Sequence, residues 1–219
     1  MAQALQIDWL GRVAYGDALA RQLELLEARR AGACGDRLLL VEHPPVVTLG
    51  RASRPEHLLT PRAALAARGV EVHEIPRGGD VTYHGPGQLV GYTIVDLAAR
   101  GLADAHAFLR TIEATLVEAL RALGVAGEAR PGTTGVFAAG SQPPRKLASI
   151  GLGLRGWVTW HGFALNVSVD PADFGDVVPC GLRHVEMSSV SRELGAAPDA
   201  ALFEGAREAV ARAFAERLA

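Results

Sequence analysis

Lysine is almost missing from this chain. Of its 22 basic residues only Lys146 is a lysine, the others being arginines. A guanidinium stays protonated whereas an ammonium can be tuned to exchange a proton, so that single amine invites a chemical reason for being there. Cysteine is scarce too, with only Cys34 and Cys180 in 219 residues. Two cysteines do not make a disulfide scaffold, and each is judged as a thiol. No block of like charge occurs and the formal net charge is −2, which gives no basic footprint for nucleic acid. No stretch is apolar enough to span a bilayer, and "MAQALQIDWLGRVAYGD" lacks the cationic start and apolar run of a secretory signal. The expectation is a cytoplasmic protein with neither nucleic acid nor membrane as partner. Metal signatures are also lacking: the seven histidines are scattered, and His84, His161 and His184 show no ligand spacing. No metal is expected, and each of these histidines is expected to be hydrogen-bonded.

What the chain does have is apolar residue, 49% of it, enough for one domain spanning residues 1–219. Leu19, Leu23 and Leu26 at helical spacing predict a helix from Tyr15 to about Arg30. "RLLLVEHPPVVTLG" predicts two short strands bent apart by Pro44 and Pro45. "PRAALAARG" predicts a short helix ahead of the strand "VEVHEIP". "QLVGYTIVDL" predicts a strand, and "DAHAFLRTIEATLVEALRALG" a long amphipathic helix capped by Asp104. In the second half, "GVFAAG", "KLASIGLGLR", "GWVTWHG" and "FALNVSVD" read as short strands in a meander. "PADFGDVVPCGLRH" reads as a loop, and "APDAALFEGAREAVARAFAERLA" as a closing helix. Clustered strands covered by helices define an α+β fold with a mixed, largely antiparallel sheet.

Two segments carry candidate chemistry. Cys180 stands between Pro179, which fixes the backbone, and Gly181, which frees it, as an exposed nucleophile in a loop requires. A structural thiol fits the same local sequence, and Cys34, in a turn after a helix, reads as a bystander. "RGGDVTYHGPGQLVGY" is neither G-x-G-x-x-G nor a P-loop, so phosphate cradling is disfavoured. Gly78, Gly79, Gly85 and Gly87 let main chain approach a ligand, Tyr83 and Leu89 are expected to wall an apolar pocket, and His84 or Arg77 to orient a polar group. A tight crossover between strands is the alternative.

Taken together, "RGGDVTYHGPGQLVGY", "RKLASIGLGLR", "WVTWHGFALNVSVD" and "VPCGL" resemble, in order and separation, the lipoyl(octanoyl) transferase family. The resemblance runs from "EHPPVVTLG" through "PCGL". Thr93 stands where the family often has proline, and Phe137 where it often has tryptophan. The resemblance implies a fold similar to the catalytic domains of biotin and lipoate protein ligases. It implies that Cys180 forms an acyl-thioester and that Lys146 lowers the thiol pKa and handles protons. It assigns substrate binding to Arg77, Gly78, Gly79, Asp80, Val81, Thr82, Tyr83 and His84, to Ser149, Ile150 and Gly151, and to Gly162, Phe163 and Ala164. The implied donor is octanoyl-acyl carrier protein. The implied acceptors are lipoyl domains, those of 2-oxoacid dehydrogenase E2 subunits and the glycine cleavage H protein, with no ATP and no metal. An ATP-dependent lipoate or biotin ligase of the same fold, an amidotransferase moving the acyl group between lipoyl domains, and a non-catalytic acyl-carrier or lipoate-binding module are the alternatives.

Overall fold

The computed structural model describes residues 4–181 and 184–219, and the side chain of Cys180 lies outside that description. In chain order the elements are β1 (Gln6–Arg12), α1 (Tyr15–Arg30), β2 (Arg37–Glu42), β3 (Val46–Leu49), α2 (Arg62–Ala67), β4 (Glu71–Glu74), β5 (Thr82–His84) and β6 (Gln88–Ile94). There follow α3 (Ala105–Ala122), β7 (Gly127–Ala129), β8 (Val136–Ala138), β9 (Arg145–Arg155), β10 (Val158–Asn166), β11 (Glu186–Met187), α4 (Val190–Leu194) and α5 (Ala200–Arg217). Short 3-10 turns lie at Pro55–His57, Pro171–Asp176 and Pro179–Gly181.

The main sheet runs β1-β2-β6-β10-β9-β8-β7, with β11 added to β9, and a small sheet runs β4-β3-β5. Most neighbours are antiparallel, but β1 pairs β2, β3 pairs β4, and β11 pairs β9 in parallel. The architecture is the expected α+β fold with a mixed, largely antiparallel sheet.

Successive strand side chains point to opposite faces, and both faces of this sheet are covered. On β2, Leu38 and Leu40 pack with α3 and α5, whereas Leu39 and Val41 pack with α1. On β10, Phe163 and Leu165 take the first side and Trp160 and Ala164 the second. The α3 stripe of Phe108, Ile112, Leu116, Ala119 and Leu120 is buried, and Asp104 caps the helix by accepting from the His106 and Ala107 amides. On α1, Leu26 is buried while Leu19 and Leu23 are only partly so, because the packed face is rotated toward Ala18, Gln22 and Leu25.

The structure departs from the sequence expectation at several places. β1 is an additional edge strand, its burial only partial and Trp9 39% exposed, so it carries no buried-strand signature. "GWVTWHG" and "FALNVSVD" supply one strand, Val158–Asn166, rather than two. The glycine-rich stretch is not merely a crossover, since Thr82–His84 inside it pairs with β3.

Candidate active site

Lys146 sits on β9 with 2% of its surface exposed. Its neighbours across the sheet are Phe137 on β8 and Met187 on β11. The ammonium donates to the Thr134 carbonyl at 2.9 Å and lies 5.4 Å from the Phe137 ring centroid. A buried ammonium is tolerable only with such partners. The turn before β8 is held in turn by Glu113, 1% exposed on α3, which accepts from the Gly135 amide at 2.8 Å and from Arg110 at 2.5 Å. Gly135 has φ +120, and a Cβ there would lie 2.7 Å from Lys146 Cε and 2.4 Å from the Ala148 carbonyl oxygen. Only glycine leaves room for the amine's path.

Cys180 belongs to the 3-10 turn Pro179–Gly181, and its side chain falls outside the described residues, as do Leu182 and Arg183. The backbone of that turn is nonetheless tied on two sides. On one side the Val178 amide donates to the His57 carbonyl at 2.8 Å, and His57 Nδ1 donates to Asp80 Oδ2 at 2.5 Å. A Cβ on Gly181 would lie 2.8 Å from that Asp80 oxygen and 3.0 Å from His57 Cε1, and its φ is +67. On the other side β11 pairs with Arg145 and Lys146 themselves. The turn is thus strung between the glycine-rich segment and the strand of Lys146.

Between them lies a pocket on the α1 side of the sheet. Of the segments assigned to substrate, Arg77, Gly79, Asp80, Thr82, His84, Ser149, Ile150, Gly151, Gly162, Phe163 and Ala164 line it. Gly78 spans from this segment to β9, its amide donating to the Leu152 carbonyl at 2.8 Å. Val81 and Tyr83 instead turn into a separate cluster, where Tyr83 meets Phe174 edge-on at 5.5 Å. Leu89 packs under α3. Strand alternation explains the split, and the walls expected from Tyr83 and Leu89 are supplied by Tyr15, Val90 and Tyr92. Arg77 donates through Nη2 to the Thr48 carbonyl and hydroxyl, both at 2.9 Å, which fixes its plane.

The histidines and tyrosines of the pocket are held neutral. His84 Nδ1 donates to Gln88 Oε1 at 2.6 Å, and Gln88 donates to Asn166, which donates to the Ser188 carbonyl. Burial first, then His43, push the His84 pKa down to about 3. His43 donates to the Val13 carbonyl and accepts from the Tyr92 hydroxyl, each at 2.7 Å. Burial raises the Tyr15 and Tyr92 hydroxyls above their ordinary range. His161 contradicts its expectation, because neither ring nitrogen has a hydrogen-bond partner among the described residues. Sequence reasoning placed no functional role on His161, His43, Tyr15 or Tyr92, which come from segments far apart in the chain. Among the described residues no group of metal-ligating side chains occurs, and no helix is long and apolar enough to cross a membrane.

The helix-backed mixed sheet is a fold shared with solved lipoate protein ligases. The fold matches a bi-partite lipoate protein ligase of Thermoplasma acidophilum with TM-score 0.72, at 19% identity, over 100% of this chain and 84% of that one. A lipoate-protein ligase A bound with ATP matches with TM-score 0.72, at 18% identity, over 100% of this chain and 86% of that one. At sequence level, residues 14–215 match the lipoyl protein ligase A/B catalytic domain. Octanoyltransferase of Acidobacterium capsulatum is 46% identical over 84% of this chain and 78% of its own. That of Chloroflexus aurantiacus is 43% identical over 96% of this chain and 92% of its own. The chain belongs to the lipoyl protein ligase A/B catalytic-domain family, and within it to the octanoyltransferases, which makes it an acyltransferase.

Proposed function

We propose that this acyltransferase moves an octanoyl, or lipoyl, group from acyl carrier protein to a lysine amine of lipoyl domains, through a thioester on Cys180. The single observation that carries the reading is the buried ammonium of Lys146, on a strand that lines the pocket and that pairs with the segment following Cys180. In the first half, the Cys180 thiolate attacks the carrier thioester, the acyl–sulfur bond to the carrier breaks, and the carrier thiolate takes up the proton that Cys180 lost. A positive charge beside a thiol favours its thiolate, and Lys146 supplies one. In the second half the acceptor amine attacks the acyl-cysteine, the C–N bond forms as the C–S bond breaks, and the amine's proton passes by way of Lys146 to the departing Cys180 sulfur. Thioester exchange conserves the activation of the acyl group, so amide formation needs no ATP. Neither metal nor other cofactor enters the scheme.

Acceptors are lipoyl domains of 2-oxoacid dehydrogenase E2 subunits and glycine cleavage H protein. The apolar stretch of the pocket, Val90, Tyr92 and Ala164, takes the alkyl chain, each buried methylene contributing about 0.8 kcal/mol. The ATP-dependent ligase reading has the same fold in its favour, and one experiment separates the two. Intact-protein mass is measured after mixing with octanoyl-acyl carrier protein and no ATP, beside Cys180→Ala. An octanoyl-sized gain in the native protein alone, reversed by hydroxylamine, is the expected result. No gain without ATP, together with product from free octanoate and ATP, assigns ligase chemistry instead.

A further inference from the structure

The strand that carries Gly162, Phe163 and Ala164 also carries a histidine that the proposed reaction does not use. His161 lies in the middle of β10 with φ +58, a left-handed conformation that a non-glycine residue adopts only at a cost of about 1–2 kcal/mol. The surroundings hold it there. Its amide donates to Gln22 Oε1 of α1 at 3.0 Å, the Thr93 hydroxyl donates to its carbonyl at 3.4 Å, and its ring stacks on Trp160 at 4.1 Å. The left-handed kink turns the imidazole into the pocket, where it is 2% exposed and both ring nitrogens are unpartnered among the described residues. A buried donor and acceptor left unpaired in a strained residue points to a ligand contact.

Position along the strands says which part of a ligand. Ala164 is opposite Ser149, and His161 opposite Leu152, one residue beyond Gly151. Those three residues of strand span ~10 Å, about the reach of an extended eight-carbon chain. Lys146 lies beyond Ser149 in the opposite direction on β9. A chain whose thioester lies level with Ser149, on the Lys146 side, therefore brings its other end to His161. Burial, Arg77 and Arg51 hold the ring neutral, its pKa near 3, so it presents one N–H donor and one lone pair.

We propose that His161 is a specificity-determining residue that offers a hydrogen-bonding group to the far end of the bound acyl chain. The pocket then favours an eight-carbon chain, accepts one with a polar atom at its far end, and rejects a longer alkyl chain that would cover the ring nitrogens with carbon. This rests on the acyl-transfer reading above.

The test uses acyl carrier protein loaded with octanoyl, 8-hydroxyoctanoyl or decanoyl groups, and reads the ratio of kcat/KM between donors, which does not depend on the fraction of a variant that is folded. The native enzyme is expected to use the 8-hydroxyoctanoyl donor within about tenfold of octanoyl, and decanoyl at least about tenfold less well. In His161→Leu the hydroxyl-bearing donor falls by about a further tenfold relative to octanoyl while decanoyl gains. His161→Gly, which accepts the left-handed backbone, shifts both ratios in the same directions, and His161→Asn, which keeps a polar group there, stays near native. Ratios in His161→Leu and His161→Gly that equal the native ones overturn the assignment while octanoyl transfer itself stands. Native enzyme that transfers octanoyl from no carrier overturns the transfer reading, and this assignment with it.

Discussion

Two glycines set the positions of the proposed reacting groups. At Gly135 a methyl group would press on Lys146 Cε and on the Ala148 carbonyl, and the backbone there has a positive φ. Gly135→Ala is expected to displace the amine by a fraction of an ångström to an ångström and to lower kcat/KM for octanoyl transfer by about a hundredfold, since misplacements of that size carry such penalties. The split to look for is a loss in kcat with octanoyl-carrier KM little changed. At Gly181 the left-handed backbone alone makes alanine cost about 1–2 kcal/mol, and the added Cβ would meet Asp80 and His57. Gly181→Ala is expected to lower the urea midpoint modestly and to slow the appearance of the octanoyl-sized mass gain. An unchanged rate would show that the turn does not position Cys180.

At the scale of elements, the buried carboxylate of Glu113 links α3 to the turn that supplies the Lys146 partner carbonyl. Glu113→Ala leaves the Gly135 amide without its acceptor and is expected to cost about 1–3 kcal/mol of stability, read as a lower unfolding midpoint, with transfer reduced by more than that loss of folded protein explains. Glu113→Gln keeps an acceptor for Gly135 and is expected to recover most of both. This link was invisible in the sequence: Glu113 fell on a helix recognised from its apolar spacing, and nothing local marks a helix carboxylate as a support for a lysine on a strand. The helices themselves were legible because Asp104 and the Phe108–Ile112–Leu116 spacing are local signals. So were Lys146, by its rarity, and the glycine-rich segment, by its density of turn residues. β1 escaped because its alternation is weak and it borrows stability from β2. The ring cluster of Tyr15, His43, His84 and Tyr92 escaped because its members come from separate elements that meet only when the small sheet closes over the large one. The side of the strand on which Tyr83 falls depends on a pairing with β3 that no composition reveals.

For the whole molecule, that meeting of sheets has a cost that appears in its response to acid. His84 and His161 are buried with pKa values pushed to about 3, whereas in the unfolded chain a histidine titrates near 6.5. Above about pH 6.5 both states hold them neutral and they contribute no pH dependence. Between about 6.5 and 3 the unfolded chain binds protons that the folded one refuses, so stability falls as the pH falls, by up to about 1.4 kcal/mol per pH unit for each histidine. His43, also lowered by burial, adds to the same trend. Charges facing the cluster from other elements, Arg77 and Arg51, act in the same direction on His161. The urea midpoint is therefore expected to be flat from pH 8 to 7 and to decline steadily from pH 6 to 5, well above the range where carboxylates titrate. His161→Asn removes one of the titrating groups while retaining a residue that tolerates the left-handed backbone, and its midpoint should decline less steeply over the same interval. A variant whose slope matches the native one would mean that the imidazole accepts its proton within the fold, and that the pocket opens to water well before the protein unfolds.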